Sequence, residues 1–273
     1  MTHLRKPCAL VAVVAATLGA TLAVKDASAQ VLIDQVVEDS WRFTAGLGVF
    51  SRPKYPGSGD TDVVALPLVS ANFGRYFIGG TPGAGLPFGV GATLFQNENW
   101  RAGVALGGEL SKPRSASDAR ILAGWGDIPA TALGSAFAAY SIDWLTLRGF
   151  VVTDIGGKDQ GTRVAFDIEG KYRFDEKLTF TAGPGVTWAD GKYSQTFFGV
   201  NGVQSFVSGL APYAAGSGVN TVRFSIGAQY RLNAQWGLGA SVTAAWLQGD
   251  AKDSPITEKK SQNTYGLFAS YSF

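Results

Sequence analysis

Arg163-Val164-Ala165-Phe166-Asp167-Ile168-Glu169-Gly170-Lys171-Tyr172-Arg173-Phe174 reads as two interleaved sequences. Val164, Phe166, Ile168, Gly170, Tyr172 and Phe174 alternate with Arg163, Ala165, Asp167, Glu169, Lys171 and Arg173. Successive side chains of a strand point to opposite sides, so one face is apolar and the other ionic. A helix would place each set all round its axis, and period-2 alternation therefore argues for a strand.

The pattern recurs along the chain. Val222 to Leu232 sets Val222, Phe224, Ile226, Ala228, Tyr230 and Leu232 against Arg223, Ser225, Gly227, Gln229 and Arg231. Trp41 to Val49 and Trp100 to Leu110 carry it more weakly, with Arg42, Arg101 and Glu109 on their polar faces. In Tyr265 to Phe273 the residues Tyr265, Leu267, Ala269, Tyr271 and Phe273 share one face. Termini usually fray unless something docks them. A last strand with this aromatic pattern resembles the signal read by the barrel assembly machinery, so Tyr265, Leu267, Tyr271 and Phe273 are expected to serve assembly.

The connections between strands are of two kinds. Gly74-Arg75, Gln96 to Asn99, Asp143-Trp144, Asp175 to Lys177 and Asn233 to Gln235 are short polar turns. Phe50 to Thr61, Ser111 to Ala130, Asp190 to Thr221 and Asp250 to Asn263 are long, and the Gly-rich stretches Gly79 to Gly85 and Gly157 to Gly161 fall with them. Strict alternation of short and long connections is the arrangement of outer-membrane barrels, with short turns periplasmic and long loops outside. The expected fold is all-β, a transmembrane antiparallel up-and-down barrel of about twelve strands. Those strands are expected near 41–49, 62–73, 76–80, 86–95, 100–110, 131–142, 145–156, 162–174, 178–189, 222–232, 236–249 and 264–273. Trp41, Trp100, Trp144, Phe174, Tyr230, Trp236 and Phe273 fall near the short-turn rim and Trp188 and Trp246 near the other. Amphipathic rings suit both membrane interfaces.

The N-terminal residues read as an export signal. Arg5 and Lys6 precede an apolar stretch from Ala9 to Val24, and Ala27-Ser28-Ala29 before Gln30 has the small-x-small form of a cleavage site. Residues 1–29 are thus expected to be a cleaved signal peptide. Residues 30–273 are expected to form the barrel, with 30–40 as a periplasmic N-terminal segment. Cys8 lies before the apolar core, which disfavours a lipid anchor.

Cleavage restricts the chemistry of what remains. The single Met, His and Cys are Met1, His3 and Cys8, all within the signal. Removing Arg5, Lys6 and Lys25 from 23 basic residues and Asp26 from 21 acidic ones leaves 20 of each. A neutral chain gives no basis for nucleic-acid binding. Without His or Cys, a Ser-His-Asp triad, a thiol nucleophile and a zinc site of the usual ligands are excluded, so no enzyme activity and no cofactor are expected. Gly46-Leu47-Gly48, Gly83-Ala84-Gly85 and Gly89-Val90-Gly91 lack the following helix that a dinucleotide fingerprint requires. Asp167 and Glu169, about 7 Å apart along a strand, are flanked by Arg163, Lys171 and Arg173, which favours an ion-pair ladder over a catalytic carboxylate pair.

If the apolar faces meet lipid, the lumen receives Arg42, Arg101, Glu109, Arg148, Asp154, Arg163, Asp167, Glu169, Lys171, Arg173, Arg223 and Arg231, because charge on the lipid face is costly. Outer-membrane lipid and lipopolysaccharide are then the expected surroundings. Two readings of this basic-leaning lumen stay open: a charge network bracing a closed barrel, or a narrow channel for small anionic or sugar-like solutes. Twelve strands lie between filled eight-stranded barrels and open sixteen-stranded porins. The loop from Asp190 to Thr221 carries Tyr193, Phe197, Phe198, Phe206 and Tyr213, and is a candidate constriction or adhesive surface.

Trp41-Arg42-Phe43-Thr44-Ala45-Gly46-Leu47-Gly48, Tyr55-Pro56-Gly57-Ser58, Gly124-Trp125-Gly126-Asp127-Ile128, Trp188-Ala189-Asp190 with Tyr193, Phe197-Phe198-Gly199-Val200 and Tyr271-Ser272-Phe273 follow one another in an order that resembles the MltA-interacting protein family, also called MipA/OmpV. The resemblance implies an outer-membrane scaffold linking a lytic transglycosylase to a peptidoglycan synthase. Other members are described as adhesins, surface antigens or uptake-related proteins. Residues 30–40, with Asp34, Glu38 and Asp39, offer the main periplasmic surface beyond the short turns.

Mass spectrometry of the protein recovered from outer membranes is expected to find Gln30 as its first residue. Retention of residues 1–29 would contradict the cleavage site.

Overall fold

A computed structural model describes residues 40–80, 83–109 and 111–273. The expected signal peptide and residues 30–39 of the N-terminal segment lie outside the described residues. Twelve strands close into one barrel in which each pairs with its sequence neighbours. They are β1 (Trp41–Pro53), β2 (Thr61–Phe73), β3 (Tyr76–Gly79), β4 (Gly89–Gln96), β5 (Trp100–Gly108), β6 (Ala132–Ile142), β7 (Leu145–Asp154), β8 (Thr162–Arg173), β9 (Leu178–Ala189), β10 (Gly218–Arg231), β11 (Trp236–Leu247) and β12 (Ser261–Ser272). The antiparallel ladder of β1 on β12, from Thr44 opposite Ser272 to Ser51 opposite Tyr265, removes the last sheet edge.

Alternation explains which face is which. On β8, Val164, Phe166, Ile168 and Tyr172 are exposed while Arg163, Ala165 and Asp167 are buried. On β1, Trp41, Phe43, Leu47 and Val49 are exposed and Gly48 and Phe50 are buried. The exposed apolar rows together form the belt that hydrocarbon covers. At the short-turn rim, aromatic residues pair across three hairpins. Trp41 faces Phe73, Trp100 faces Tyr140 and Trp236 faces Tyr271 in register, with ring centroids 5.0 to 5.1 Å apart.

Three of the five short turns share one device. Asn97, Asp175 and Asn233 each accept two backbone N–H bonds through a single Oδ1, from Asn99 and Trp100, from Lys177 and Leu178, and from Gln235 and Trp236. A short polar side chain thus closes each turn locally.

On the other rim β1, β10 and β12 run past the sequence expectation, while β5, β7 and β11 each stop two residues short of it. β1 continues to Pro53 instead of stopping at Val49, which leaves only residues 54–60 between it and β2. β10 begins at Gly218 and β12 at Ser261, several residues earlier than the apolar alternation indicated. These extensions stand beyond the lipid belt, where ladder hydrogen bonds persist without a greasy row to announce them. β4 starts at Gly89, not at residue 86, because Leu86 is drawn into the interior. The stretch from Asp190 to Thr221 holds two helices, α1 (Gly191–Phe198) and α2 (Gly202–Ser208), and a third, α3 (Gly249–Asp253), follows β11.

Closure also ties down Phe273, whose N–H donates to the Phe43 carbonyl at 2.9 Å and whose ring meets Tyr271 edge-on at 4.8 Å. Replacing Phe273 with Asp puts a charge beside this aromatic row. Phe273→Asp is expected to lower the amount of heat-modifiable protein in the outer membrane, read by unheated gel electrophoresis. Unchanged levels would remove the assembly role assigned to this residue.

Candidate functional site: a braced and capped lumen

The inner faces of β7, β8 and β10 carry two buried ion pairs. Arg223 Nη2 meets Asp167 Oδ1 at 2.5 Å, and Arg223 Nη1 donates to Thr187 Oγ1 at 2.7 Å. Arg148 Nη2 meets Glu169 Oε1 at 3.0 Å. Asp167 is 2% exposed, Arg148 5% and Arg223 6%. Charges this deep are tolerated only when paired and hydrogen-bonded. Both carboxylates that might have formed a catalytic couple are instead occupied by arginines.

Chain segments enter the same space from the loop side. Between β3 and β4, Ala84 is fully buried and its carbonyl accepts a hydrogen bond from Ser135 Oγ. Gly85 accepts from Arg163 Nη2 at 3.4 Å. Gly83 and Gly85 have φ of +82° and +68°, and a Cβ on either would press into the Arg148 side chain or the Phe150 ring. Glycine is required there for both reasons. Phe77, Ala84, Leu86, Ala105, Leu133, Phe137 and Val152 form the resulting apolar cluster inside one half of the barrel. Arg101 lies over two of its rings, 6.0 Å from Phe77 and 5.7 Å from Phe137.

A cap covers the mouth. Asp190 caps α1 by accepting from the Tyr193 N–H and also accepts from the Thr162 N–H. Phe197 and Phe198 then pack with Ile128, Ala215, Leu247 and Ala251 in a second buried cluster. Buried Arg114 donates to the Phe197 carbonyl at 3.2 Å and sits 5.6 Å from the Trp125 ring. Burial lowers its pKa to about 10, so it remains a cation. Ser254 Oγ donates to the Phe198 carbonyl. Tyr55, 1% exposed, donates to Ile256 O and Glu258 Oε2, while the Gly57 N–H donates to Gln262 Oε1 at 3.1 Å. The loops after β1, β5, β9 and β11 thereby share one hydrogen-bonded lid.

The residues expected in the lumen divide accordingly. Arg148, Arg163, Asp167, Glu169 and Arg223 come together. Glu109 lies just beyond β5 near Arg163, and its pKa rises to about 7 because burial outweighs that cation. Asp154 occupies the inner face of β7 but is spent on its own rim, accepting from Thr131 Oγ1 and the N–H groups of Gly156, Lys158 and Gln160. Arg42 and Lys171 lie toward the short-turn end on the inner parity, half-buried. Arg173 and Arg231, expected to point inward, are exposed at the ends of β8 and β10, where the wall no longer encloses them. Among the loop aromatics, Tyr193, Phe197 and Phe198 enter the cap and Tyr213 donates to the Asp250 carbonyl at 3.0 Å. Phe206 does not enter, being 90% exposed on α2. Arg114, Ser254, Glu258 and Gln262 were not singled out by the sequence. Polar residues in loops, or at a strand end beyond the lipid belt as Gln262 is, carry no period, and only their partners reveal them.

The MltA-interacting protein MipA family model matches residues 45–273. The MltA-interacting protein of Escherichia coli (strain K12) is 24% identical over 139 residues, which cover 50% of this chain and 56% of that protein. That of Shigella flexneri matches equally. The match spans only about half the length of these curated relatives. Solved structures similar to this chain include an outer membrane channel from Pseudomonas putida F1, with TM-score 0.41, 10% identity and coverage of 88% of this chain and 97% of that one. The CymD monoaromatic hydrocarbon channel gives TM-score 0.40 and 12% identity, covering 86% of this chain and 88% of its own.

Removing one member of a buried pair costs about 3 to 5 kcal/mol. Arg223→Gln is therefore expected to lower the thermal midpoint measured by heat modifiability. Combining Arg223→Met with Asp167→Leu is expected to recover most of that loss, since a packed apolar pair can replace a buried ionic one. Equal stability of Arg223→Gln and wild type would show that the pair braces nothing.

Proposed function

The chain belongs to the MltA-interacting protein family, and on that footing we propose that this outer-membrane β-barrel protein acts without catalysis, as a docking scaffold for a lytic transglycosylase. The relatives' name supplies the partner, and the peptidoglycan setting is what the family resemblance implies. The observation that carries the reading is the filled lumen. Buried ion pairs, the inward segment around Ala84 and the cap occupy the space a solute would cross.

A barrel so braced presents its rims and surface as the parts able to work. The periplasmic rim is made of short turns, three of them closed by Asn97, Asp175 and Asn233, and is edged by the aromatic pairs, a stiff platform rather than a mobile one. Rigid platforms lose little freedom on association. The N-terminal segment before Trp41 adjoins this rim in the chain and brings Asp34, Glu38 and Asp39.

Pull-down with the detergent-solubilised full barrel as bait is expected to retain a purified membrane-bound lytic transglycosylase from the same cell, and planar-bilayer recordings are expected to show no stable openings. Failure to retain the enzyme would refute the docking role. Stable solute-selective openings would return the chain to the channel reading.

A further inference from the structure

The inner wall is not filled evenly along its length. On β10 the inward residues Thr221 and Arg223 are buried, whereas Ser225, Gly227 and Gln229 are half-buried. On β8 the same step falls between Asp167 and Glu169, on β11 between Thr243 and Ser241, and on β1 between Gly48 and Gly46. On β8 and β10 it comes directly below the Arg223–Asp167 pair. This side of the lumen is therefore a vestibule, closed above by the ion pairs and the cap and open at the short-turn rim.

The vestibule has one sign of charge. Arg42 on β1 and Lys171 on β8 face inward and are half-buried, and Arg173 and Arg231 stand at the lip. Among the described residues, no Asp or Glu faces inward between Glu169 and the short turns, and Glu169 is itself paired with Arg148. Glu98, Asp143, Asp175 and Glu176 are exposed on the turns, outside the wall. A cleft lined by one sign of charge between low-dielectric walls focuses its field and gathers counter-charge. Other inward side chains there, among them Thr44, Thr181, Ser225 and Ser270, are small and hydroxylic, which leaves room and hydrogen-bonding groups for a peptide.

The matching charge comes next in the chain. Asp34, Glu38 and Asp39 fall within seven residues of Trp41, where β1 begins, with no Lys or Arg among them. We infer that the vestibule is the docking site of this acidic stretch, Asp34 to Asp39, of the same chain. Reach permits it, since an extended chain covers about 3.3 to 3.6 Å per residue and seven residues span up to about 25 Å. β10 lies three strand spacings from β1, which is about 14 Å round the wall. Glu38 and Asp39 are thus close enough in the chain for Arg42, and Asp34 can reach Arg231. Tethering raises the effective concentration of the stretch to about the millimolar range, ahead of a free anion or an acidic segment of a partner.

Cysteine accessibility reads the occupancy, because residues 30–273 contain no Cys. Ser270→Cys puts a thiol on the inner face of β12 opposite Gly46, and Gln235→Cys puts one on the exposed β10–β11 turn. Each is made in the full chain, recovered from outer membranes, and again with Asp34→Asn, Glu38→Gln and Asp39→Asn combined. With the acids present, a neutral maleimide is expected to modify the Ser270→Cys thiol about tenfold more slowly than without them. Salt at about 1 M is expected to remove most of that difference by screening, and so is Arg42→Gln combined with Arg231→Gln. The turn thiol is expected to react at one rate throughout. Should Ser270→Cys lose its heat-modifiable band, Thr181→Cys on the inner face of β9 gives the same reading. Equal protection with and without the acids would assign the vestibule to another occupant, and equally fast reaction in both would leave it empty. Either result overturns the inference. No lytic transglycosylase enters the assay, so its outcome is separate from that of the scaffold reading.

Discussion

Every backbone N–H and C=O at membrane depth must find its partner within the protein, because hydrocarbon offers none. The ladder between β1 and β12 is where that demand is met for the whole wall. Once the sheet has no edge, each strand must show an apolar row to lipid and whatever remains to the inside. The exposed Val164, Phe166 and Ile168 and the buried Arg163, Ala165 and Asp167 are two consequences of this one condition. A twelve-stranded wall also encloses more volume than its own small side chains fill.

The interior is occupied in three ways. One half of the barrel is packed by an apolar cluster that borrows Ala84 and Leu86 from the β3–β4 connection. The facing half is braced by Arg223 with Asp167 and Arg148 with Glu169. The loop-side opening is closed by α1 and by the loops that hydrogen-bond to it. Tyr55-Pro56-Gly57-Ser58, Asp127-Ile128, Asp190 with Tyr193 and Phe197-Phe198 all supply parts of that cap. The stretches that resemble the family are therefore largely those that close the barrel. The braced interior and the cap together leave a small, mostly apolar cavity lined in part by Tyr55, Phe150 and Phe198.

The wall was legible before any coordinates. Period-2 alternation is a local property of the chain, and the strict exchange of short turns for long loops needs no partner to be seen. Even the short β3 (Tyr76–Gly79) lies within the strand expected near residues 76–80. The strand ends near the cap were less legible, because beyond the lipid belt an inward residue and an outward one can both be polar. Asn220 is the sharpest instance, since a bulge reverses its facing without any change of residue type.

By itself the sequence determined the barrel, the number of strands, the greasy outer face and the absence of histidine and cysteine chemistry from residues 30–273. Only the tertiary structure decided that Asp167 belongs to Arg223, 56 positions away, that Gly85 meets Arg163 across 78, and that Tyr55 meets Glu258 across 203. The physical reason is range. Facing along a strand is set by each residue's immediate neighbours, whereas the pairing and closing of an interior are set by which distant segments the closed wall brings within hydrogen-bond reach.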